Sequence, residues 1–221
     1  HIVVEIFNTF PNSKVIIVDN LSNSEKNILQ NIKKITNINN EQLEFYNIDL
    51  TSETKTFELF KSENPNIIIH LAGYKAVNES VKEPLSYYYN NILSSINILN
   101  AMKFFNCKNL IFSSSATVYG NLNPPYSENI QIGIGITNPY GQTKFMIETI
   151  MKDFHKANPN YNLIALRYFN PVGAHESGLL GEEPSGIPNN LMPFILRTGI
   201  SHLIRNPDIL KNKLTNEENN E

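Results

Sequence analysis

The chain has 221 residues, 41% of them hydrophobic, with a formal net charge of −3 and an isoelectric point near 6.0. That is enough apolar material for a substantial core in one domain or one and a half. The absence of a Lys/Arg stripe excludes an electrostatic footprint for nucleic acid, and the longest apolar runs, 15–18 and 67–69, are too short to span a bilayer.

Residues 1–10 read as a helix that carries Glu5 and no basic region, unlike a signal peptide, and Pro11-Asn12-Ser13 turn the chain. Short β-branched runs then alternate with longer helical patterns. Strands are expected over 14–18, 43–48, 66–71, 108–112 and 162–167, and helices over 24–35, 53–63, 84–105, 138–156 and 189–200. This is an α/β pattern with a doubly wound, mostly parallel sheet. The helices over 84–105 and 138–156 are long enough to pack side by side. Two stretches look like polar filler, the Asn/Ile/Lys-rich 27–40 and the charged 211–221. The single Cys107 cannot pair internally, which points to a buried small hydrophobe near a helix end and to a reducing, cytoplasmic setting.

The most informative residues are Tyr140 and Lys144, the one Tyr-x-x-x-Lys in the sequence, placed at the start of a helix after a strand that ends in Ser113-Ser114-Ser115. Four residues apart on a helix, the two side chains share a face. A tyrosine acting as a base near neutral pH must lose roughly 3 pK units, about 4 kcal/mol. A unit charge at ~4 Å in an effective dielectric of ~20 supplies about that much. The pair is therefore expected to acidify the phenol beside a cofactor, although the spacing alone is also that of a surface contact.

Asp19 and Asp49 each follow a strand, where a carboxylate can bond an adenosine ribose or, equally, organise a turn or cap the next helix. An acid at position 19 favours NAD over NADP. Leu71-Ala72-Gly73 closes a third strand with small residues that let backbone approach a ligand. Lys75 just beyond is a solvated lysine or a charge aimed at phosphates. Asn90-Asn91 interrupt a helix at positions where buried amides would need partners. The run Tyr87-Tyr88-Tyr89 reads as packing. His70 and His175 stand apart from other ligand-type residues, so no metal site is read. No G-x-G-x-x-G occurs anywhere in the chain.

Four motifs together carry a resemblance: Ser113-Ser114-Ser115-Ala116-Thr117-Val118-Tyr119-Gly120, Thr137-Asn138-Pro139-Tyr140-Gly141, 166–175 (Leu-Arg-Tyr-Phe-Asn-Pro-Val-Gly-Ala-His) and 186–193 (Gly-Ile-Pro-Asn-Asn-Leu-Met-Pro). The sequence from His1 to about Phe194 resembles the UDP-glucose 4-epimerases of the extended short-chain dehydrogenase/reductase superfamily. The resemblance implies an enzyme with tightly held NAD that interconverts UDP-galactose and UDP-glucose through a transient 4-keto sugar. It implies that Tyr140 exchanges the proton of the sugar hydroxyl, that Ser115 hydrogen-bonds that hydroxyl, and that Lys144 bonds the nicotinamide ribose and acidifies Tyr140. By the same resemblance Asp19, Asn20, Leu21, Ser22, Asn23, Ser24, Asp49, Leu50, Leu71, Ala72, Gly73, Lys75, Asn90 and Phe169 join Tyr140 and Lys144 in contacting NAD. Asn170, Asn190 and Leu191 join Ser115 on the UDP-sugar. Ala116-Thr117 stand where related dehydratases have an Asp-Glu pair, which argues for epimerisation.

The resemblance divides the chain into an NAD-binding Rossmann-like part over 1–172, a partial UDP-sugar region over 173–200 and a divergent tail over 201–221. It also implies a homodimer for the complete enzyme. His1 falls where the family's glycine-rich loop has just ended, and the pattern is lost after about Ile195. The chain is therefore expected to be a piece of such an enzyme, lacking its first strand and inactive alone. A non-catalytic binding or assembly module and a related sugar-nucleotide epimerase or dehydratase are the alternatives.

Overall fold

The computed structural model describes residues 1–181 together with Met192, Ile195, Leu196, Thr198 and Gly199, which are helical. The rest of the expected helix over 189–200, the tail, and the candidate residues Asn190 and Leu191 lie outside the described residues.

The helix α1 (Ile2–Thr9) leads into β1 (Val15–Asp19), α2 (Ile28–Thr36), β2 (Leu43–Asn47), α3 (Glu53–Glu63) and β3 (Ile67–His70). There follow a short α4 (Val77–Lys82), which the sequence reading did not anticipate, and then α5 (Pro84–Phe105), β4 (Asn109–Ser115), a 3₁₀ turn (Ala116–Tyr119), α6 (Pro139–Ala157) and β5 (Asn162–Tyr168). Helix boundaries follow local chemistry. Ser52 Oγ accepts from Lys55 N at the start of α3, Asn138 Oδ1 accepts from Gly141 N at the start of α6, and α5 and α6 both begin on proline. Three helices end on an asparagine in the left-handed region, Asn37, Asn64 and Asn106. The stretch over 27–40 is thus not filler: it holds a capped amphipathic helix that buries Ile32, with Leu29, Ile35 and Ile38 packed around it.

All strand pairs are parallel, as expected, but the strands do not form one sheet. β1 pairs with β2, and separately β3, β4 and β5 form a three-stranded sheet in that order. Parallel strands connected through helices, here in two sheets, are the pattern of a doubly wound fold.

Each part has its own core. Phe60 of α3, Ile98, Leu99 and Met102 of α5, Leu110 and Phe112 of β4, and Ile147 and Met151 of α6 pack over one face of the three-stranded sheet. Val4, Phe7, Ile32 and Leu43 form the second core, and Leu180, far along the chain, closes it. The register puts Ile69, Ile111 and Ile164 abreast on the other face of the larger sheet, where Ile67 is 57% and Ile164 52% exposed. The side-by-side packing of α5 and α6 is as the sequence implied.

Met102 is fully enclosed in the larger core. Met102→Ala is expected to lower the unfolding free energy by about 2–5 kcal/mol in urea titration. A loss below about 1 kcal/mol would show that α5 is not held as described.

Candidate active site

The parallel strands aim their carboxyl ends at one edge, and the loops leaving β1, β2 and β3 line an open cleft. Asp19, Asn20, Ser22, Asn23, Asp49, Leu50, Ala72, Gly73 and Asn90 line it, nine of the residues that the resemblance assigned to NAD. Val18, Ile48, Tyr74 and Ser94 line it too and were not anticipated. The apolar Val18 and Ile48 follow directly from strand alternation, whereas Tyr74 and Ser94 depend on how α5 crosses the strand ends.

Asp19 Oδ1 accepts from Leu21 N and Ser24 Oγ, both at 2.7 Å. Leu21 and Ser24 therefore shape the loop rather than line the cleft. Asp49 does not cap α3, a role that falls to Ser52. Its Oδ1 instead accepts from the amide and hydroxyl of Thr51, and the hydroxyl bond leads the causes that hold its carboxyl below the usual range. Leu71 and Lys75 are exposed outside the cleft.

Asn91 joins this cleft to the second group of residues. Its Oδ1 accepts from Tyr74 N at 2.8 Å, and its Nδ2 donates to Tyr74 O at 3.0 Å and to Thr143 Oγ1 of α6 at 3.2 Å. The buried amide thus has the partners that its place in a helix demanded. Gly73, at φ +147°, sits so close that a Cβ there would lie 3.1 Å from Asn91 Oδ1.

Ser115, Tyr140 and Lys144 come together where β4 ends and α6 begins. Gly141 permits this: a Cβ at that position would come within 3.0 Å of Thr117 Cβ and 2.9 Å of Ile136 Cγ2. The first turn of α6 therefore presses on the 3₁₀ turn that follows Ser115. Ser115 Oγ accepts from Thr117 N at 3.2 Å and from Thr117 Oγ1 at 2.9 Å. Lys144 is buried, donates from Nζ to Ser113 O at 2.7 Å, and lies 4.8 Å from the Phe112 ring centroid and 5.7 Å from that of Tyr140.

The electrostatics differ from the expectation in one respect. Tyr140 is not acidified here; burial raises its pKa above the ordinary value, opposed in part by a hydrogen bond with Ser115. Lys144 does not bond the phenol, because its ammonium is turned to the Ser113 carbonyl, and burial lowers its own pKa to about 8. Nearby, His70 is also buried. Its Nε2 meets Ser95 Oγ at 2.9 Å, and its pKa is lowered to about 3, first by burial and then by the charge of Lys144.

Phe169 is 58% exposed and lies 5.9 Å from the Tyr126 ring, away from the cleft, and Asn170 is exposed at the end of β5. Among the described residues no group of His, Cys, Asp and Glu could hold a metal ion, and no helix is long and apolar enough to cross a membrane.

Comparison with known proteins agrees with this geometry. Residues 6–200 match the profile of the NAD dependent epimerase/dehydratase family. The UDP-glucose 4-epimerase of Caenorhabditis elegans is 45% identical over 209 residues, and that of Pasteurella multocida 46% over 204. Each alignment covers 92% of this chain and 59% of the relative, so the chain spans somewhat more than half the length of these proteins. The crystal structure of UDP-glucose 4-epimerase from Bifidobacterium longum in complex with NAD+ and UDP superposes with a TM-score of 0.82 at 45% identity. It covers 87% of this chain and 56% of that one.

The Lys144 environment has a measurable consequence. With a folded pKa of about 8 against an ordinary 10.5, the unfolded chain binds more protons between those pH values, so stability rises with pH through that window. Lys144→Met is expected to flatten this rise in urea titrations at pH 8 to 10. A slope equal to that of the unaltered chain would show that the ammonium is not desolvated.

Proposed function

The chain belongs to the NAD dependent epimerase/dehydratase family, and from that premise we propose that it carries the NAD-binding part of an enzyme interconverting UDP-galactose and UDP-glucose. The observation that carries this reading is the meeting of Ser115, Tyr140 and Lys144 at the strand edge that also bears the cleft.

The cleft suits NAD. The hydrogen bonds from Leu21 and Ser24 both end on Asp19 Oδ1, so the carboxylate retains acceptor capacity for a ribose, and its charge disfavours a phosphate there. Asn20, Ser22, Asn23, Asp49, Leu50, Ala72, Gly73 and Asn90 would hold the remainder of the adenosine half, with Lys144 toward the nicotinamide ribose. The chemistry that NAD supplies when bound is the removal and return of a hydride at the sugar, with a 4-keto sugar between the two.

This chain's own part is proton handling. Tyr140 takes the proton of the reacting hydroxyl and gives it back, and Ser115 orients that hydroxyl by hydrogen bonding. Lowering the phenol's pKa requires Lys144 to stay charged and to swing from the Ser113 carbonyl toward the ligand, and a pKa near 8 leaves it mostly protonated at neutral pH. The donors that Ser115 receives come from Thr117, and no carboxylate stands there to drive an elimination, which favours epimerisation over dehydration. Asn170, and with it Asn190 and Leu191, are assigned to the UDP-sugar.

We further assign residues 1–172 to the NAD-binding unit, 173–200 to the UDP-sugar region and 201–221 to a separate tail. A homodimer through α5 and α6 is supported by the exposed Leu85 and Tyr89 of α5 and Met146 of α6. The free, buried Cys107 suits a cytoplasmic location.

Asp19→Ala is expected to weaken NAD binding to this chain about tenfold or more in calorimetry, the loss of hydrogen bonds to a charged acceptor. In the complete enzyme, Tyr140→Phe should abolish interconversion of the two UDP-sugars, because the proposed proton acceptor is gone. Retention of turnover by Tyr140→Phe would remove the phenol from the mechanism, and NAD binding indifferent to Asp19 would remove the cleft.

A further inference from the structure

Behind the three proposed catalytic residues lies a buried charged cluster to which nothing above gives a role. Glu148 of α6 is 3% exposed. Its Oε1 accepts from Ser114 Oγ of β4 at 2.5 Å and from Arg167 Nε of β5 at 3.0 Å, and its Oε2 accepts from Arg167 Nη2 at 2.8 Å. The guanidinium continues to the 3₁₀ turn, donating from Nη1 to Tyr119 OH at 3.1 Å, and stacks over the Tyr119 ring at 5.0 Å. One carboxylate therefore ties together β4, β5 and α6, and through Arg167 the turn after Ser115.

Its position in the sequence gives the cluster a purpose. Glu148 lies one helical turn beyond Lys144, on the same face of α6. Its partner Ser114 stands between Ser113, whose carbonyl receives the Lys144 ammonium, and Ser115. The cluster thus includes Ser114, the direct neighbour of Ser115, lies one turn from Lys144, and is bonded to none of the three proposed catalytic side chains.

A stability role does not account for such a cluster well. A buried ion pair seldom stabilises a fold more than apolar side chains of equal volume, because desolvation offsets the attraction. What a bidentate guanidinium–carboxylate pair does impose is direction and register. Apolar packing of Ile147 and Met151 of α6 in one core with Leu110 and Phe112 of β4 permits small sliding and rotation that the directed bonds to Glu148, one from β4 and two from β5, do not.

We propose that Glu148 is a positioning residue: with Ser114 and Arg167 it fixes the rotation and axial register of α6 on β4, and so holds Tyr140 and Lys144 against Ser115. This rests on the reading of the three residues as the catalytic group but is tested without turnover.

The test uses the full chain labelled with [¹³Cζ]tyrosine, the Tyr140 signal being assigned by its absence in Tyr140→Phe. Three variants are compared: Glu148→Gln, which keeps volume and removes charge; Ser114→Ala, which leaves the ion pair intact and cuts only its link to β4; and Ser114→Thr, which restores a hydroxyl. Loss of register breaks the Ser115 contact that now lowers the Tyr140 pKa. The Tyr140 titration is therefore expected to move upward in Glu148→Gln and in Ser114→Ala, and to return to that of the unaltered chain in Ser114→Thr. Should Glu148→Gln not fold, the Ser114 pair alone decides. A Tyr140 titration unmoved in Ser114→Ala, or moved equally in Ser114→Thr, overturns the proposal even if thermal stability falls. Because no substrate enters the measurement, failure of the epimerase reading shows separately, as absent turnover in the complete enzyme with a correctly responding Tyr140.

Discussion

The arrangement of this site depends on a lysine ammonium buried against a strand. Taking Lys144 out of water is costly, and the structure offsets that cost with the Ser113 carbonyl and with the faces of Phe112 and Tyr140. The compensation is incomplete, which is why its pKa settles near 8. A lysine in that condition responds to its surroundings. A new acceptor or a shift in solvation changes both its charge and its reach, and under the proposed function the neighbouring phenol, itself raised by burial, depends on that charge to act as a base. In the proposed reaction, bringing Lys144 away from the Ser113 carbonyl and within reach of the ligand would be part of what binding accomplishes.

Much of this could be read from the sequence. The parallel α/β pattern, the limits of α3 and α5, and the placement of Tyr140, Lys144 and Ser115 at one strand end all follow from periodicity, proline positions and the i,i+4 rule. Of the nine expected residues that line the cleft, Asp19, Asp49, Ala72 and Gly73 were legible at strand ends, whereas Asn20, Ser22, Asn23, Leu50 and Asn90 rested on the family resemblance. What escaped was chemistry that exists only after packing. Asn91 looked like an anomaly within a helix until Tyr74 and Thr143 became its partners. Glu148 and Arg167 are 19 residues apart and belong to elements whose contact no local pattern reveals. Even so, a charge falling on the buried face of α6, one turn after Lys144, was a signal that the amphipathic pattern contained. The direction of the Tyr140 shift could not be read either, because spacing reports proximity while the balance of desolvation against charge needs burial.

The asparagines show how composition can mislead. Their abundance over 27–40 suggested polar filler across a stretch where a helix was also expected over 24–35, and the helix is what forms: Asn37 does for α2 what Asn64 and Asn106 do for α3 and α5, adopting the left-handed conformation that stops the helix. An asparagine-rich sequence with buried isoleucines at helical spacing is a helix with its stop written in, and the distinction lies in the spacing of the apolar residues.

The two halves of the molecule share no strand pairing, but the chain itself crosses between them. After β5 it returns to the first half, where Leu180 enters the core formed by Val4, Phe7, Ile32 and Leu43, and Asn31 Nδ2 donates to the carbonyl of Leu179. During synthesis the opening segment therefore leaves the ribosome long before the residue that seals it. Its apolar side chains stay uncovered while some 135 further residues are made after Leu43, a long-range closure of the kind that slows folding and leaves nascent chains open to chaperones.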